Sequence, residues 1–285
     1  REDRKPVAVD RVRHVGEIVA VVVATDPYIA EDAAERVVVD IEPLVAVVDP
    51  YAALEADAPR LYDHWSDNRS LRLHVTKGDI DAAFGSAATV VKRRFHSGRV
   101  SASPIEGRGV VAELDPRTTR LTVWSSTQIP HPVRTVLADA LSLPVSRIRV
   151  VAPDVGGGFG GKAALYPEEV LVCLMARRLC RPVKWLSDRL EDLMSTNQAF
   201  DEIVEAELAC DERGNILALR ADCIGDVGAY SVYPWTAAIE PVQVVSFLPG
   251  PYRVTNYWAR ARAVATSKAP TGAYRGVGRP ISAFV

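Results

Sequence analysis

Cysteine is sparse here, and its spacing is uninformative in a useful way. Cys173, Cys180, Cys210 and Cys223 are the only four in 285 residues, and no two make a C-x-x-C pair. That argues against an iron–sulfur cluster or a zinc site held by this chain alone. Buried free thiols in a reducing cytoplasm are the expectation. Long apolar runs are also missing: none reaches the ~18 residues of a membrane-spanning helix. The N-terminus shows no signal-peptide pattern. Neither sign of charge dominates, with 34 Lys and Arg against 36 Asp and Glu. The basic residues are scattered, so there is no electrostatic case for nucleic acid or an anionic membrane. An initial Met is lacking and the sequence stops at Val285 just after a glycine loop, so both ends look cut. The length suggests two domains and is enough for a substantial core without staples.

Glycine, by contrast, is concentrated. Five of the eight residues after Asp154 are glycine, in Val155-Gly156-Gly157-Gly158-Phe159-Gly160-Gly161-Lys162. Arg149-Val150-Val151 before them is β-branched enough for a buried strand, and Tyr166 to Leu179 has the length and apolar spacing of a helix. Strand, glycine loop and helix together bring bare backbone N–H groups against an anion or an oxo group. Three readings compete. Gly156 to Lys162 fits the P-loop pattern, but Ala163 stands where a hydroxyl should hold Mg²⁺. Gly156, Gly158 and Gly161 fit a dinucleotide fingerprint, but the helix begins near Pro167, too late to meet a phosphate squarely. Asp188 is no substitute for the acid that fingerprint requires. The third reading is a cofactor contact of another kind. A ligand-free structural loop explains two or three glycines better than five around a lone aromatic.

The remaining chain reads as α+β (α/β). Gly16 to Ala24 and Val37 to Ile41 have strand composition, with Asp26 capping a helix between them that starts at Pro27 and runs to about Arg36. This βαβ unit reads as the end of a small α/β domain. Residues 50 to 75 are weakly periodic and are expected to hold a boundary or long linker. Asp79 caps a short helix through Phe84. Strands follow at Thr89–His96, Gly109–Leu114 and Leu121–Ser126, with Asp115-Pro116-Arg117-Thr118 turning between the last two. Gln128 then sits at a strand-to-helix junction, where an amide either caps the turn or faces a ligand. Pro130-His131-Pro132 opens a helix to about Leu141, and His131 lacks a second histidine at ligand spacing. Val183–Leu186 is a short strand, and Glu202–Ala209 with Ile216–Asp222 forms a hairpin. Ala259–Ala265 leads into a second glycine loop, Gly272-Ala273-Tyr274-Arg275-Gly276-Val277-Gly278. Arg275 is either a solvated turn residue or a guanidinium presented to an anion.

Ser126-Thr127-Gln128, Gly156 to Lys162 and Gly272-Ala273-Tyr274-Arg275-Gly276, in this order and spacing, resemble the large subunit of molybdenum hydroxylases. That family includes xanthine dehydrogenase, aldehyde oxidase and the large chain of aerobic carbon monoxide dehydrogenase. The resemblance implies that residues 1–55 are the C-terminal part of an α/β hammerhead domain, 56–80 a linker, and 81–285 the first part of a molybdopterin-binding domain. It implies cofactor contacts at Gln128, Gly157, Gly158, Phe159, Gly160 and Arg275, with molybdenum held by the pterin dithiolene and by no side chain.

The implied reaction is hydroxylation of an aldehyde or N-heterocycle with water as the oxygen source. The pterin is expected in its cytosine dinucleotide form, with [2Fe-2S] clusters and FAD on partner subunits of a cytoplasmic hetero-oligomer. The general-base glutamate is expected in the remaining C-terminal half of the large subunit, so no catalytic residue is assigned here. Should a base lie within this chain, Glu168, Glu169 and Asp226 are the candidates. Ala163 replaces an acid of xanthine-oxidising members, and Gly276 stands where carbon-monoxide-oxidising members hold copper through a cysteine. Gly107 replaces a common proline, and Ile281 a common acid. The alternatives are a carbon monoxide dehydrogenase homologue, a non-catalytic fragment or split subunit, and a P-loop or dinucleotide module.

Overall fold

A computed structural model describes residues 4–285; the first three residues of the expected hammerhead span lie outside the described residues. The described chain carries nine strands and seven α-helices. Most of them fall into two sheets, each backed by helices on an apolar face.

The four-stranded sheet carries the first glycine loop. It contains β3 (Gly109–Asp115), β4 (Arg120–Ser125), β5 (Ile148–Val151) and β6 (Val183–Leu186), in the order β5-β4-β3-β6. β3 pairs antiparallel with β4 and β6, while β4 and β5 run parallel. Leu121 and Val123 of β4 are fully buried while Thr122 and Trp124, which alternate with them, are not, the period-two alternation of a half-covered sheet. Their buried face meets α3 (Pro130–Leu141) through Val133 and Leu137. It also meets α4 (Pro167–Leu179) through Val172, Cys173 and Ala176. Each fully buried Val or Leu here contributes about 1.5–3 kcal/mol. Prolines at the first turns of α3 and α4 fit because those N–H groups have no partner within the helix. His131 lies in that first turn of α3, exposed.

The five-stranded sheet has the order β1-β9-β8-β7-β2, from β1 (Arg69–Lys77), β2 (Thr89–Ser97), β7 (Glu202–Cys210), β8 (Ile216–Asp226) and β9 (Asn256–Val264). β7 and β8 form the expected hairpin, turned at Arg213-Gly214-Asn215, and β8 runs parallel to β9. α2 (Ile80–Gly85) is capped by Asp79, whose carboxylate accepts from the Ala82 N–H at 3.0 Å. Three helices escaped the sequence reading. α5 (Arg189–Ser195) is capped reciprocally by Asp188 and Glu191. α6 (Ile239–Phe247) lies on β8 and β9 beside α7 (Arg279–Phe284), with Val244, Val245 and Ile281 in the core.

Three expectations fail. Of the cysteines expected as buried thiols, Cys173 and Cys223 are buried, but Cys210 is half-buried and Cys180 is exposed. Gly16–Ala24 and Val37–Ile41 join no sheet among the described residues. Only α1 (Pro27–Ala34), capped by Asp26, forms there, and it buries no residue. Branched residues favour a strand only where another strand accepts their backbone groups, and no such strand lies beside them among the described residues. The expected linker, 56–80, contains β1, which pairs with β9 from Arg69↔Val264 to Lys77↔Tyr257. Its alternation, with Leu71, Leu73 and Val75 half-buried, is diluted by Arg72, His74 and Thr76 on the other face of an edge strand.

Candidate functional site

β4 and β5 end side by side because they are parallel, and the chain leaves both at the same edge of the sheet. The carboxyl ends of parallel strands are where open α/β sheets leave room for ligands. Gln128 follows β4 by three residues, and the glycine loop follows β5. The two meet: Gln128 Oε1 accepts from the Gly160 N–H at 3.0 Å, and the Gln128 N–H donates to the Lys162 carbonyl at 2.9 Å. A Cβ on Gly158 would run into the Gln128 carboxamide. The glycine there is a requirement of close approach, not of flexibility.

The second loop reaches the same point from the other sheet. The Arg275 N–H donates to the Phe159 carbonyl at 2.9 Å. Gly160, at φ +101, lies flat against Ala273 with no room for a Cβ. Gln128, Phe159, Gly160 and Arg275, far apart in sequence, therefore form one continuous strip. Gly157 and Gly158 adjoin it within the first loop. The loop's own backbone bonds run from Gly157 N to Val155 O, Gly161 N to Gly158 O and Ala163 N to Gly160 O. Among the described residues, the N–H groups of Gly158 and Phe159 and the Gln128 amide NH₂ make no hydrogen bond. Phe159 sits at φ +51 with its ring 47% exposed. A bulky residue held in the left-handed region costs on the order of 1–3 kcal/mol, which the surrounding contacts must offset.

What braces the loop was not legible in its motif. Lys162 is 2% exposed, and its ammonium donates to Glu106 Oε2 at 2.7 Å. The same oxygen accepts from the Gly156 N–H at 2.7 Å. This disposes of the P-loop alternative, because that lysine is buried under the loop and bound to a carboxylate. Tyr166 donates its hydroxyl to the Gly161 carbonyl and accepts from the Asn197 N–H at 3.2 Å. Burial pushes the Tyr166 phenol up to about 12, so it stays a donor.

Behind Tyr166 lies Arg108, 5% exposed. It pairs with both oxygens of Glu168 at 3.0 Å and bonds Thr196 Oγ1 and Ser195 Oγ at 2.8 and 2.5 Å. Its guanidinium lies 3.9 Å from the Tyr166 ring centroid and 5.2 Å from that of Trp185. Glu168 is buried, but Arg108 beside it holds its carboxyl below the usual range. Glu169 is pushed up to about 7 by burial, against hydrogen bonds from Ser125 Oγ at 2.6 Å and the Tyr166 N–H at 2.9 Å. Asp226 accepts from Lys268 Nζ at 2.7 Å and from Arg99 at 3.1 Å. All three candidates for a base within this chain are thus buried and engaged in structure. No group of three or more metal-ligating side chains occurs among the described residues.

The strip fits a cofactor presented as a broad polar face: two unengaged loop N–H groups, an amide donor, an exposed aromatic ring and a guanidinium in no ion pair among the described residues. It offers no ligand set for a bare metal ion. Comparison with known proteins agrees. The molybdopterin cofactor-binding domain family matches residues 62–285.

The chain belongs to that family.

The α/β hammerhead domain of aldehyde oxidase and xanthine dehydrogenase matches residues 1–45. The nicotine 6-hydroxylase large subunit of Paenarthrobacter nicotinovorans is 39% identical over 95% of this chain and 33% of that protein. The carbon monoxide dehydrogenase large chain of Hydrogenophaga pseudoflava is 36% identical over 93% of this chain and 35% of that protein. The solved structure of quinoline 2-oxidoreductase from Pseudomonas putida 86 superposes with a TM-score of 0.92 at 44% identity, over 96% of this chain and 35% of that one. The chain thus spans about a third of the length of these relatives. No helix of the described residues is long and apolar enough to cross a membrane.

Proposed function

We propose that this chain forms one wall of the molybdopterin site in the large subunit of a cytoplasmic molybdenum hydroxylase. Its substrate is an aldehyde or, more specifically, an aromatic N-heterocycle, oxidised with water as the oxygen source. The observation that carries this reading is the convergence of Gln128, Phe159, Gly160 and Arg275 on one strip through two backbone-mediated hydrogen bonds. The cofactor, when bound, supplies the oxidising centre that takes two electrons from the substrate carbon. The Gly158 and Phe159 N–H groups, the Gln128 amide and the Arg275 guanidinium are the donors this chain sets against it, fixed before the reaction so that they need not reorganise during it. Gly157 lets the Phe159 ring lie within 3.3 Å of where its Cβ would be, keeping that ring over the loop.

Aromatic surface borders the strip and supports the heterocycle. The Leu165 N–H donates to the Tyr233 carbonyl at 3.0 Å, and Val232 packs on Ala164 and Tyr166. That sets the backbone of residues 232–233 against Ala164–Tyr166, just past the glycine loop, and Tyr233 and Trp235 on the same segment expose aromatic surface. The names of two relatives, a nicotine hydroxylase and a quinoline oxidoreductase, point the same way. Carbon monoxide is disfavoured, because Gly276 offers no thiol that could hold copper beside Arg275.

The pterin carries a cytosine dinucleotide, and [2Fe-2S] clusters and FAD reside on partner subunits, consistent with the lack of a C-x-x-C pair. The base is a glutamate contributed by the rest of the large subunit, since Glu106, Glu168, Glu169 and Asp226 are each engaged in structure. Residues 1–55 belong to the hammerhead domain, and the boundary with the molybdopterin-binding domain falls before β1 begins at Arg69. The test is molybdenum content, pterin nucleotide and turnover of quinoline against carbon monoxide in the purified complex containing this chain. Stoichiometric molybdenum with quinoline oxidation is expected. Micromolar Mg·ATP binding, or carbon monoxide oxidation with copper, would overturn the reading.

A further inference from the structure

Two buried carboxyl groups lie beneath the second glycine loop, and the reading above makes no use of them. Glu202 on β7 and Glu240 in the first turn of α6 are each 1% exposed. Glu202 stands opposite Gly225 of β8, and cross-strand partners share a face of the sheet. A Cβ on Gly225 would strike the Pro241 ring of α6 at 2.8 Å, so the Glu202 side chain rises toward α6. The residue before Pro241 is Glu240, whose Oε2 accepts from the Phe200 N–H at 3.1 Å, two residues from Glu202. Glu202 Oε2 and Glu240 Oε1 are each buried without a hydrogen-bond partner among the described residues.

Nearby cations are already committed. Arg99 bonds Asp201 at 2.8 Å and Asp226 at 3.1 Å, and Lys268 bonds the same two carboxylates at 3.1 and 2.7 Å. His96 approaches only Asp201, and Arg279 of α7 stacks on Phe247. Cys223 of β8 is a buried thiol that burial keeps protonated. Two adjoining carboxylates without a counter-ion cannot both be ionised in such a site. One proton between them turns two unsatisfied acceptors into a charge-assisted O–H···O bond.

We propose that Glu202 and Glu240 share a proton and act as a pH-sensitive latch that seats α6, and with it the second glycine loop, on the five-stranded sheet. The mechanical link is direct. Gly278, at the end of that loop, lies flat on the Glu240 carbonyl, and Ser282 of α7 donates to the Val244 carbonyl at 3.0 Å. The loop in turn holds the Phe159 carbonyl through the Arg275 N–H. Burial and the neighbouring carboxylates raise both acids, Glu202 to about 8. An acid raised on folding contributes stability that is fully present below its unfolded range and lost as pH rises through the folded value. The latch therefore weakens on the alkaline side. It does not depend on which cofactor or substrate the strip receives.

The test uses the intact protein that carries this chain, comparing wild type with Glu202→Gln and Glu240→Gln. Infrared difference spectra between about pH 6 and pH 9 read the carbonyl stretch of an un-ionised carboxylic acid, and thermal unfolding reads stability over the same window. In wild type, one such signal is expected to fade together with the Tm as pH rises. Amide exchange at Tyr274–Gly278 should then quicken several-fold. Each Gln variant gives the surviving carboxylate a neutral amide donor, so it should lack that signal and lose much of the alkaline fall. Glu169, also raised by burial, supplies a background signal that both variants leave in place. Wild type with a flat Tm and no fading signal beyond that background overturns the proposal, whether or not the variants fold. So do variants whose spectra and Tm profiles coincide with wild type.

Discussion

The two glycine loops meet at Phe159 and Arg275 but are held in place by different means. The first is braced by side chains from several elements: Lys162 and Glu106 beneath Gly156, Tyr166 on the Gly161 carbonyl, Gln128 on the Gly160 N–H. The second rests largely on backbone, with Arg275 N–H on Phe159, Gly272 N–H on Gln198 at 2.8 Å and Gly278 on the carbonyl of α6. A loop fixed by side chains keeps its shape when a neighbour moves. One seated on backbone follows the element beneath it. The first loop is built as the rigid wall of the site and the second as a part whose position tracks α6.

The strongest way to break that contrast is to remove the deepest brace of the first loop. Arg108→Leu leaves Glu168 buried without its bidentate partner and removes the guanidinium stacked on the Tyr166 ring. A loss of about 3–5 kcal/mol is expected, read by denaturant unfolding of the intact protein. Molybdenum should fall with it, because Tyr166 no longer holds Gly161. If stability changes by less than about 1 kcal/mol, the brace is not what fixes the first loop.

Gly160→Ala acts where the loops touch. It combines a φ of +101 with a collision against Ala273, so the loops must part. A cost of about 1–3 kcal/mol is expected, with cofactor content near background. Gly276→Ala is the matched change in the second loop, at φ +94 and against the movable Pro280 ring. It should cost about 1 kcal/mol and leave most of the molybdenum bound. Equal losses of cofactor in the two variants would erase the distinction between a rigid and a following loop.

How much of this could be read from the sequence follows from how far apart the interacting residues lie. Strand β5, the glycine loop and α4 are contiguous, so glycine density and apolar spacing exposed them. The β7–β8 hairpin was legible for the same reason, with Gly214 at its turn. Asp26 and Asp79 marked their helices because a cap is a local device. The Arg108–Glu168 pair spans sixty residues and Lys162–Glu106 fifty-six, with no local signal in any of the four. β1 was hidden because an edge strand exposes one charged face. The valine runs before and after α1 misled, since composition announces a strand but not the partner it needs. Gln128 was placed at a strand-to-helix junction, and the structure does put it there. Its contact with a cofactor belongs to the proposed function.

Gln128→Ala gives the smallest effect on the fold and sharpens the comparison most. Gln128 is exposed, so truncating it opens no core cavity. It loses a single hydrogen bond, from the Gly160 N–H, worth about 0.5–1.5 kcal/mol. The Gly160 N–H lies at the surface, where water can replace the lost acceptor, so the change in stability should sit at the low end. The backbone bond from Gln128 N–H to Lys162 does not depend on the side chain and should keep the junction in place. If the amide serves chiefly to cap the loop, unfolding and molybdenum content move together and slightly. If it is a donor set toward the cofactor, kcat should fall at least tenfold while Tm stays within a few degrees. Gln128→Glu separates the two roles further. The carboxylate of that variant keeps an acceptor for the Gly160 N–H but brings no amide donor, so a capping role predicts rescue and a donor role predicts none.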